Sequence, residues 1–407
     1  MSTGGLSKAR LDRMHDVMSG YIDRGQMPGL VTLVSRRGEV HVDAIGTKAV
    51  DGPGTINNGP MQRDTIFRVA SMIKPITAAA TMILVEECKL RLDEPVDMFL
   101  PELANRKVLK RLDSSLDDTV PAKRSITVRD LLTFRMGFGS VMAPKDTYPI
   151  QVAIREQQIG GDGPPNPATA PATDEWMRRL GALPLVYQPG ERWMYHTGSD
   201  VLGVLIARVT GQTFETFLRE RIFEPLGMQD TGFNVPAEKL DRLASSYRFN
   251  HETAVLELYD GVDNSQWKDP PPFQSGGGGL ISTIDDYLAF CQMMLNKGRH
   301  GPGRILSRPS VELMTADHLT PEQKEGTSIF FGENSGWGFG MAVYTRRDDL
   351  ASVPGRFGWD GGLGTSGYSD PTEQLVGILM TQRMMDSPKP PSVFRDFWTS
   401  AYQAIDD

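Results

Sequence analysis

The sequence has few of the residues that hold disulfide-bonded and metal-dependent proteins together. Only two cysteines and six histidines occur among its 407 residues, and the histidines show neither H-x-x-x-H spacing nor clustering with cysteine. We therefore expect no metal site. Cys88 and Cys291 lie in apolar segments with helical character, which predicts two buried free thiols rather than a disulfide.

An excess of positive charge and long apolar runs are also missing. The chain has 43 Lys and Arg residues against 51 Asp and Glu residues, and its net charge of -8 repels nucleic-acid phosphates and anionic membrane surfaces. No segment approaches the ~18 uninterrupted apolar residues of a membrane span, and the first residues lack the apolar stretch of a secretory signal. We expect a cytoplasmic protein with no nucleic-acid partner and no membrane partner.

The chain does have the composition of a folded protein. Hydrophobic residues make up 39% and charged residues 23% of it, which is too apolar for a disordered chain. Its length exceeds that of one ordinary domain, which indicates two folding units or one unit that carries a large insertion.

The two ends of the chain carry similar patterns. An amphipathic helix near the N-terminus precedes two β-rich runs, Leu30 to Ser35 and Val40 to Ile45, which predict a hairpin turning near Gly38. Near the C-terminus, Gln374 to Thr381 is typical of a buried strand and Val393 to Ile405 of a helix. We predict an α/β fold in which both ends build one antiparallel sheet flanked by the terminal helices.

The middle of the chain has a different character. Residues 65–290 have mostly helical patterns with connections rich in proline and glycine, and we interpret them as a helical domain inserted into a sheet domain of residues 1–64 and 291–407. The functional site is expected between the two. Residues 160–173 form a long loop, which is either a lid, a pocket wall or a surface connection.

Ser71 and Lys74 are the strongest candidates for chemistry. On the first turn of a helix, residues three apart share a face, so the amine can reach the hydroxyl. Lysine can take a serine proton only when burial lowers its pKa, and the following run, Ile76 to Val85, is apolar nearly all round. A second S-x-x-K segment, Ser265 to Lys268, is followed within two residues by three consecutive prolines and cannot continue as a helix.

Together with this motif, five further segments resemble the penicillin-binding-protein and class C β-lactamase superfamily, particularly its esterase branch, the family VIII carboxylesterases. The resemblance covers most of the chain. It implies the β-lactamase/transpeptidase-like fold, an acyl-enzyme on Ser71 with Lys74 as its base partner, and no organic cofactor. The five segments are Ile126-Thr-Val-Arg-Asp-Leu-Leu-Thr, Gln188-Pro-Gly-Glu-Arg-Trp-Met-Tyr-His-Thr-Gly-Ser, Phe223-Glu-Pro-Leu-Gly-Met-Gln-Asp-Thr, Gly278-Gly-Leu-Ile-Ser-Thr-Ile-Asp-Asp-Tyr and Gly358-Trp-Asp-Gly-Gly.

Tyr195-His196-Thr197 occupies the place of the family's Tyr-x-Asn or Tyr-x-Ser motif. The resemblance implies that Tyr195 serves as base toward Ser71, as acid toward the leaving alcohol and as base toward water. Since an opposite charge favours the phenolate, we expect the buried Lys74 to ease loss of the tyrosine proton. His196 is an alternative base, which its position in the family disfavours.

A third motif begins at Trp359 and continues through Asp360, Gly361 and Gly362. The glycine-rich stretch is typical of a strand at the edge of an active site, since glycine lets the backbone approach a ligand closely. The resemblance implies that the Gly362 amide joins the Ser71 amide as an oxyanion hole. We expect Trp359, Asp360 and Gly361 to contact substrate.

Departures from the family pattern indicate the substrate. Trp359 stands where β-lactamases and peptidases carry the lysine of Lys-Thr-Gly, whose cation helps to hold the substrate carboxylate. Thr197 replaces an asparagine that contacts the β-lactam amide, and Phe134 stands where relatives commonly have histidine. We therefore expect hydrolysis of short-chain, neutral carboxylic esters, with a small-molecule ester as the binding partner.

Several alternatives stay open at this stage. The nearest is a β-lactamase or D-amino-acid peptidase, and another is acyl transfer to a small-molecule alcohol. A receptor that binds acyl compounds without turnover is a third, although it has no need of a buried amine beside a serine. Ser366 is a minor rival nucleophile, because Gly364-Thr-Ser-Gly-Tyr misses the final glycine of a G-x-S-x-G elbow.

Overall fold

The computed structural model describes residues 4–50, 59–160 and 163–407. Its central element is an antiparallel sheet of seven strands, built from both ends of the chain. In their order across the sheet the strands are β11 (Ser335–Trp337), β12 (Ala342–Tyr344), β13 (Phe357–Gly361), β14 (Thr365–Asp370), β15 (Leu375–Thr381), β1 (Gly29–Arg36) and β2 (Glu39–Gly46). The fold class predicted from the sequence is confirmed.

Helices cover both faces of this sheet and fill the middle of the chain. The terminal helices α1 and α12 pack together on one face, and α9 packs on the other face against β14 and β15. In chain order the helices are α1 (Lys8–Asp23), α2 (Ile73–Glu86), α3 (Val128–Leu132), α4 (Pro149–Glu156), α5 (Thr173–Ala182), α6 (Thr197–Thr210), α7 (Phe214–Leu218), α8 (Glu224–Leu226), α9 (Ile284–Leu295), α10 (Arg308–Met314), α11 (Ser328–Phe331) and α12 (Ser392–Gln403).

The alternation of side chains explains why β15 is apolar throughout. Leu375 and Leu379 join the cluster under α1 and α12, whereas Val376 and Ile378 join the cluster under α9. A strand covered on both faces needs apolar residues at every position, and all seven residues of β15 are buried. Both the strand and the C-terminal helix α12 were predicted from the sequence.

The predicted N-terminal hairpin is also confirmed. The last residue of β1, Arg36, pairs with the first residue of β2, Glu39, so Arg37 and Gly38 form a two-residue turn. Both have positive φ, 49° and 85°, which gives the turn the twist that fits antiparallel strands.

Four two-stranded sheets lie among the helices in the stretch of described chain between β2 and β11. The helix α2 runs through this region with every residue from Ile73 to Leu84 buried, so it carries Lys74 into the interior as predicted. The short strands are β3 (Phe67–Arg68), β4 (Lys107–Leu109), β5 (Thr119–Pro121), β6 (Ser246–Asn250), β7 (Val255–Asp260), β8 (Ile281–Ser282), β9 (Arg299–His300) and β10 (Gly303–Arg304).

Two further sequence predictions concern the domain boundary and the two cysteines. The predicted domain boundary between residues 290 and 291 falls inside α9, a helix that packs on β14 and β15. The division into domains stays a prediction. Cys291 is buried as expected, but Cys88 is exposed. The reason is that α2 ends at Glu86 and Cys88 lies in the following turn with φ 57°.

Among the described helices, none is both long enough and apolar enough to cross a bilayer. The cytoplasmic location inferred from the sequence stays a prediction.

The close approach of β13 to the turn before α2 yields a stability test. A Cβ at Gly361 would collide with the carbonyl oxygen of Val69 and with Thr365 Oγ1, whereas a Cβ at Gly362 would meet nothing within 4 Å. We expect Gly361→Ala to lower the free energy of unfolding by ~2 kcal/mol, because backbone must shift to admit the methyl group. Gly362→Ala is the matched control and should leave stability unchanged. Thermal or urea unfolding measures both, and equal stabilities would contradict the packing described here.

Candidate active site

Ser71 lies in a strained turn between β3 and α2. The residue before it, Ala70, has φ 42°, a left-handed conformation that costs a non-glycine residue energy and is concentrated at functional sites. A single turn of 3₁₀ helix, Ala70–Met72, then leads into α2. This path places Ser71 at the N-terminal end of the buried helix with 9% of its surface exposed, so its hydroxyl is close to the surface while α2 is not.

Lys74 is fully buried and its amine contacts three acceptors. Nζ lies 2.8 Å from Ser71 Oγ and 3.2 Å from His196 Nδ1, and it donates a short hydrogen bond to the carbonyl oxygen of Gly277. An ammonium has three hydrogens to donate, so the charged form is fully satisfied. The predicted contact between Lys74 and Ser71 is therefore present.

Burial also tunes the acidity of this amine. Because the charged form loses its hydration inside the protein, the pKa of Lys74 falls to about 7, with only partial compensation from the carboxylate of Asp200. A lysine at its ordinary pKa would be an ammonium at neutral pH and could not accept a proton. At neutral pH this amine exists in both forms, which suits it to act as a base.

Tyr195 lies beside both Ser71 and Lys74. Its hydroxyl accepts a hydrogen bond of 2.7 Å from Trp359 Nε1, and its interaction with Ser71 favours the phenolate. The Lys74 amine lies 4.6 Å from the centre of its ring. The structure thus brings together Ser71, Lys74, Tyr195 and Trp359, four of the residues predicted from the sequence.

The expected acidity of Tyr195 is wrong, however. Burial raises its pKa above the ordinary value, although the hydrogen bonds from Ser71 and Trp359 act in the opposite direction. Because Lys74 is only partly charged at neutral pH, it stabilises the phenolate of Tyr195 little. The loss of hydration of the phenolate on burial therefore determines the direction of the pKa shift. Tyr195 is therefore a neutral phenol at rest, and Lys74 is the better resting base.

The chain reverses sharply after Tyr195. His196 has φ 83° and ψ -63°, and the Thr197 amide donates to the Tyr195 carbonyl oxygen at 3.3 Å, which together describe a strained γ-turn. The turn brings Tyr195 and the His196 ring to the same site. The His196 ring contacts Lys74 rather than Ser71, so the geometry gives no support to His196 as the base for the serine.

A buried carboxylate anchors the far side of the His196 ring. Asp200 Oδ2 lies 3.0 Å from His196 Nε2, and Asp200 Oδ1 accepts hydrogen bonds from Ser275 Oγ and from the Gly277 amide. Burial works against the charge of Asp200, but His196, Ser275 and Lys74 hold its pKa below the ordinary value. The carboxylate is therefore charged, and it fixes both the His196 ring and the Gly277 segment.

Aromatic rings form a wall behind Tyr195 and Trp359. Phe330 of α11 lies 5.1 Å from the Tyr195 ring and 6.3 Å from the Trp359 ring. Trp193 and Phe134 lie 5.6 Å and 6.0 Å from Tyr195. Phe134, at the position where the resemblance implies a histidine, thus packs behind the Tyr195 ring and adds no titratable group there.

The side chains of the third motif point to opposite faces of β13. Trp359 faces the site, whereas the Asp360 carboxylate accepts a hydrogen bond from Ser366 on the neighbouring strand, and burial raises its pKa to about 6. Since successive side chains of a strand point to opposite faces, the Asp360 side chain lies on the other face of β13 from Trp359. The substrate contacts of Trp359, Asp360 and Gly361 stay a prediction. Gly361 packs against Val69 and Gly362 is exposed. The oxyanion hole of the Ser71 and Gly362 amides stays a prediction.

The rival serines have structural partners. Ser265 Oγ donates to the buried Asp260 carboxylate, which also pairs with Arg68. Ser366 Oγ lies between Asp360 and Trp398 Nε1. Neither serine has a base beside it of the kind that Lys74 provides for Ser71.

Part of the long loop of residues 160–173 approaches this region. The carbonyl oxygen of Pro165 accepts a short hydrogen bond from the Tyr259 hydroxyl, and a Cβ at Gly278 would lie 3.9 Å from Pro165 and 3.6 Å from the His196 ring. This part of the loop is a wall beside the site. Residues 161 and 162 lie outside the described residues.

Within the described residues, no group of three or more His, Cys, Asp or Glu side chains could hold a metal ion.

Sequence reasoning missed the network formed by Asp200, Ser275 and Gly277. The run of glycines at 276–279 was the available signal, because such a run allows close approach of other groups. The aromatic wall from α11 was also missed, since Phe330 lies in a short helix that carries no motif.

Comparison with known proteins agrees with this architecture. The family model described as "Beta-lactamase" matches residues 14–394. Protein Rv1367c of Mycobacterium tuberculosis is 38% identical over 372 residues, which are 89% of this chain and 88% of that protein. Esterase EstB of Burkholderia gladioli is 29% identical over 396 residues, 92% of this chain and 90% of that protein.

Solved structures share the fold. One described as "EstCE1, a hydrolase with promiscuous acyltransferase activity" superimposes with a TM-score of 0.79 at 24% identity, covering 97% of this chain and 99% of that chain. At this identity the likeness concerns the fold alone. With the family match, the motifs and the relatives in agreement, this chain belongs to the β-lactamase family and is consistent with its esterase branch.

Proposed function

We propose that this protein is a serine carboxylesterase that hydrolyses short-chain, neutral carboxylic esters through an acyl-enzyme on Ser71. The observation that carries the proposal is the contact of 2.8 Å between the Ser71 hydroxyl and the buried Lys74 amine. Family membership supports a serine hydrolase, and the relative EstB is named an esterase. The kind of ester is inferred from the side chains around the serine.

In the acylation step, neutral Lys74 takes the Ser71 proton as Oγ forms a bond to the ester carbonyl carbon. The carbonyl electron pair moves to oxygen, where the Ser71 and Gly362 amides would stabilise the negative charge. The pair then returns, the bond to the alcohol oxygen breaks, and the alkoxide leaves as an alcohol with one proton from the Lys74 and Tyr195 pair. Since Tyr195 is a neutral phenol at rest, we assign it the role of proton donor.

In the deacylation step, water replaces the alcohol. The Lys74 and Tyr195 pair removes a proton from water as its oxygen bonds to the acyl carbon. The bond to Ser71 Oγ then breaks, the serine takes back a proton, and the carboxylic acid leaves. The net reaction consumes one ester and one water and needs no cofactor.

The side chains around Tyr195 favour a neutral, apolar substrate. Trp359 donates a hydrogen bond through an uncharged indole, so it offers no counter-ion to a substrate carboxylate. Phe330 and Trp193 extend the same apolar surface. Acyl transfer to an alcohol is a second candidate, because an apolar wall also suits an alcohol in the place of water and the structural neighbour EstCE1 is described with that side activity.

Replacement of the nucleophile is the first test. We expect Ser71→Ala to abolish turnover of p-nitrophenyl butyrate, because among the described residues no other serine hydroxyl is hydrogen-bonded to a lysine amine. Intact-mass spectrometry with a slow ester should show an acyl adduct only on the unmodified protein. Ser265→Ala, in the second S-x-x-K segment, is the control and should stay active. Activity retained in a folded Ser71→Ala variant would refute the assignment, and reversible binding without an adduct would indicate a receptor.

The pH dependence follows from Lys74. Its pKa is lowered to about 7, and only the neutral amine can accept the serine proton. Below that pH, kcat/KM should fall by about tenfold per pH unit, and above it kcat/KM should level off, because the raised pKa of Tyr195 keeps the phenol intact. Rates from about pH 5 to about pH 9, followed at the isosbestic wavelength of p-nitrophenol, measure the profile. A flat profile or a rise toward acid would contradict the role of Lys74.

Substrate preference tests the role of Trp359. An anionic β-lactam loses the counter-ion that a lysine would supply, and one charge-assisted contact corresponds to about tenfold to 100-fold in binding. We therefore expect kcat/KM for p-nitrophenyl butyrate to exceed that for nitrocefin by at least this factor, and Trp359→Phe to keep the preference. Faster turnover of nitrocefin would favour the β-lactamase alternative.

A further inference from the structure

His196 stands beside the catalytic amine, yet the reaction described above assigns it no role. Its ring is 31% exposed and has a polar contact at each nitrogen: Nδ1 lies 3.2 Å from Lys74 Nζ, and Nε2 lies 3.0 Å from Asp200 Oδ2. The residue also has φ 83°, a strained backbone conformation of the kind that is concentrated at functional sites. The surroundings of the ring indicate what it does.

The tautomer of His196 follows from its anchor. A charged carboxylate accepts hydrogen bonds and cannot donate them, and Asp200 is held in the charged form. In the neutral ring the proton therefore sits on Nε2, facing Asp200, and Nδ1 carries a lone pair toward Lys74. His196 is thus an acceptor for the lysine amine.

The neighbouring segment is built to admit this ring. A Cβ at Gly277 would lie 2.7 Å from His196 Nε2, so glycine leaves the room that the ring occupies. The Gly277 amide donates to Asp200 while the Gly277 carbonyl oxygen accepts from Lys74. The amine, the imidazole, the carboxylate and this peptide therefore form a closed network.

The network determines where the lone pair of the amine points. A neutral amine has two hydrogens and one lone pair, and its three neighbours are the Gly277 carbonyl oxygen, His196 Nδ1 and Ser71 Oγ. Two of these neighbours offer only lone pairs, whereas the serine also has a hydrogen to give. If both amine hydrogens go to Gly277 and His196, the lone pair is left for the Ser71 hydroxyl.

From this geometry we propose that His196, held in one tautomer by Asp200, is a positioning residue that directs the lone pair of neutral Lys74 onto the Ser71 hydroxyl. Without an acceptor at Nδ1, the amine can rotate and donate a hydrogen to Ser71 Oγ instead, which is unproductive. The inference rests on the proposed function, and it extends that function by making the base a group of three side chains.

Two substitutions of His196 separate the acceptor from the bulk of the ring. In His196→Asn, the side-chain oxygen stands near the place of Nδ1 and can still accept from Lys74, and asparagine tolerates positive φ. In His196→Gln, the polar group reaches toward Asp200 and the acceptor beside Lys74 is lost. We expect His196→Gln to lower kcat on p-nitrophenyl butyrate on the order of 10- to 100-fold with KM nearly unchanged, and His196→Asn to recover most of that loss.

The control is His15→Gln, because His15 is a half-exposed histidine of α1 that likewise pairs with an aspartate, Asp43, on the edge strand β2, four places from β13 in the sheet. It should have the kinetics of the unmodified protein, and melting temperatures confirm that each variant is folded. A folded His196→Gln variant with undiminished kcat would overturn the proposal, and so would a His196→Asn variant that is as slow as His196→Gln.

Asp200→Asn gives an independent measurement should His196→Gln fail to fold. Ser275 and the Gly277 amide both donate to Oδ1, so the new amide nitrogen would face His196 Nε2 and donate to it. The ring proton then moves to Nδ1, where it opposes Lys74. We expect Asp200→Asn to lower kcat about tenfold or more in the unmodified background and much less in the His196→Asn background.

Equal costs in the two backgrounds would mean that Asp200 acts only on structure, and the proposal would fail. The same experiments distinguish failure of the positioning role from failure of the esterase assignment. If Ser71→Ala is inactive and the acyl adduct forms while the His196 variants stay fast, the esterase assignment stands and only the positioning role is lost. If Ser71→Ala stays active, the assignment itself fails.

Discussion

The burial of one amine is the constraint on which this structure depends. Lys74 lies on an apolar helix with none of its surface exposed, and an amine in that position is tolerable only if every hydrogen finds an acceptor. Three separate elements supply them: the turn of Ser71, the γ-turn of His196 and the glycine segment at Gly277. The same desolvation that makes the amine costly lowers its pKa and turns it into a base.

Meeting that constraint requires backbone that is unfavourable in isolation. Ala70, directly before the nucleophile, and His196, directly after the phenol, both have positive φ. Such conformations cost on the order of 1 to 3 kcal/mol each, and the surrounding packing must offset them. The apolar interior of α2 and the two-sided cover of the sheet do so. The strained backbone of the site therefore depends on the packing free energy of the rest of the fold.

The sequence predicted the parts of this structure that have a period or a motif. Alternating and helical patterns predicted the sheet from both chain ends, and the resemblance of the motifs to the family implied that Ser71, Lys74, Tyr195 and Trp359 would meet. It could not predict the direction of the Tyr195 pKa or the role of Asp200, because both depend on burial and on contacts between residues far apart in the chain. The sequence analysis grouped Asp360 with Trp359 in one motif, whereas the alternation of the strand places the Asp360 side chain on the other face, where it bonds to Ser366.

Trp359 connects the electrostatics of the site to its choice of substrate. A lysine at this place would put a second cation beside the Tyr195 hydroxyl, favouring the phenolate and disfavouring the ammonium form of Lys74. The indole instead donates one neutral hydrogen bond of 2.7 Å, which leaves Tyr195 protonated and Lys74 as the single base. A tryptophan in place of a lysine at position 359 therefore has two effects. The site offers no counter-ion from this position to an anionic substrate, and the phenol keeps the proton that an alkoxide leaving group needs. Both effects support the proposal of a neutral ester substrate.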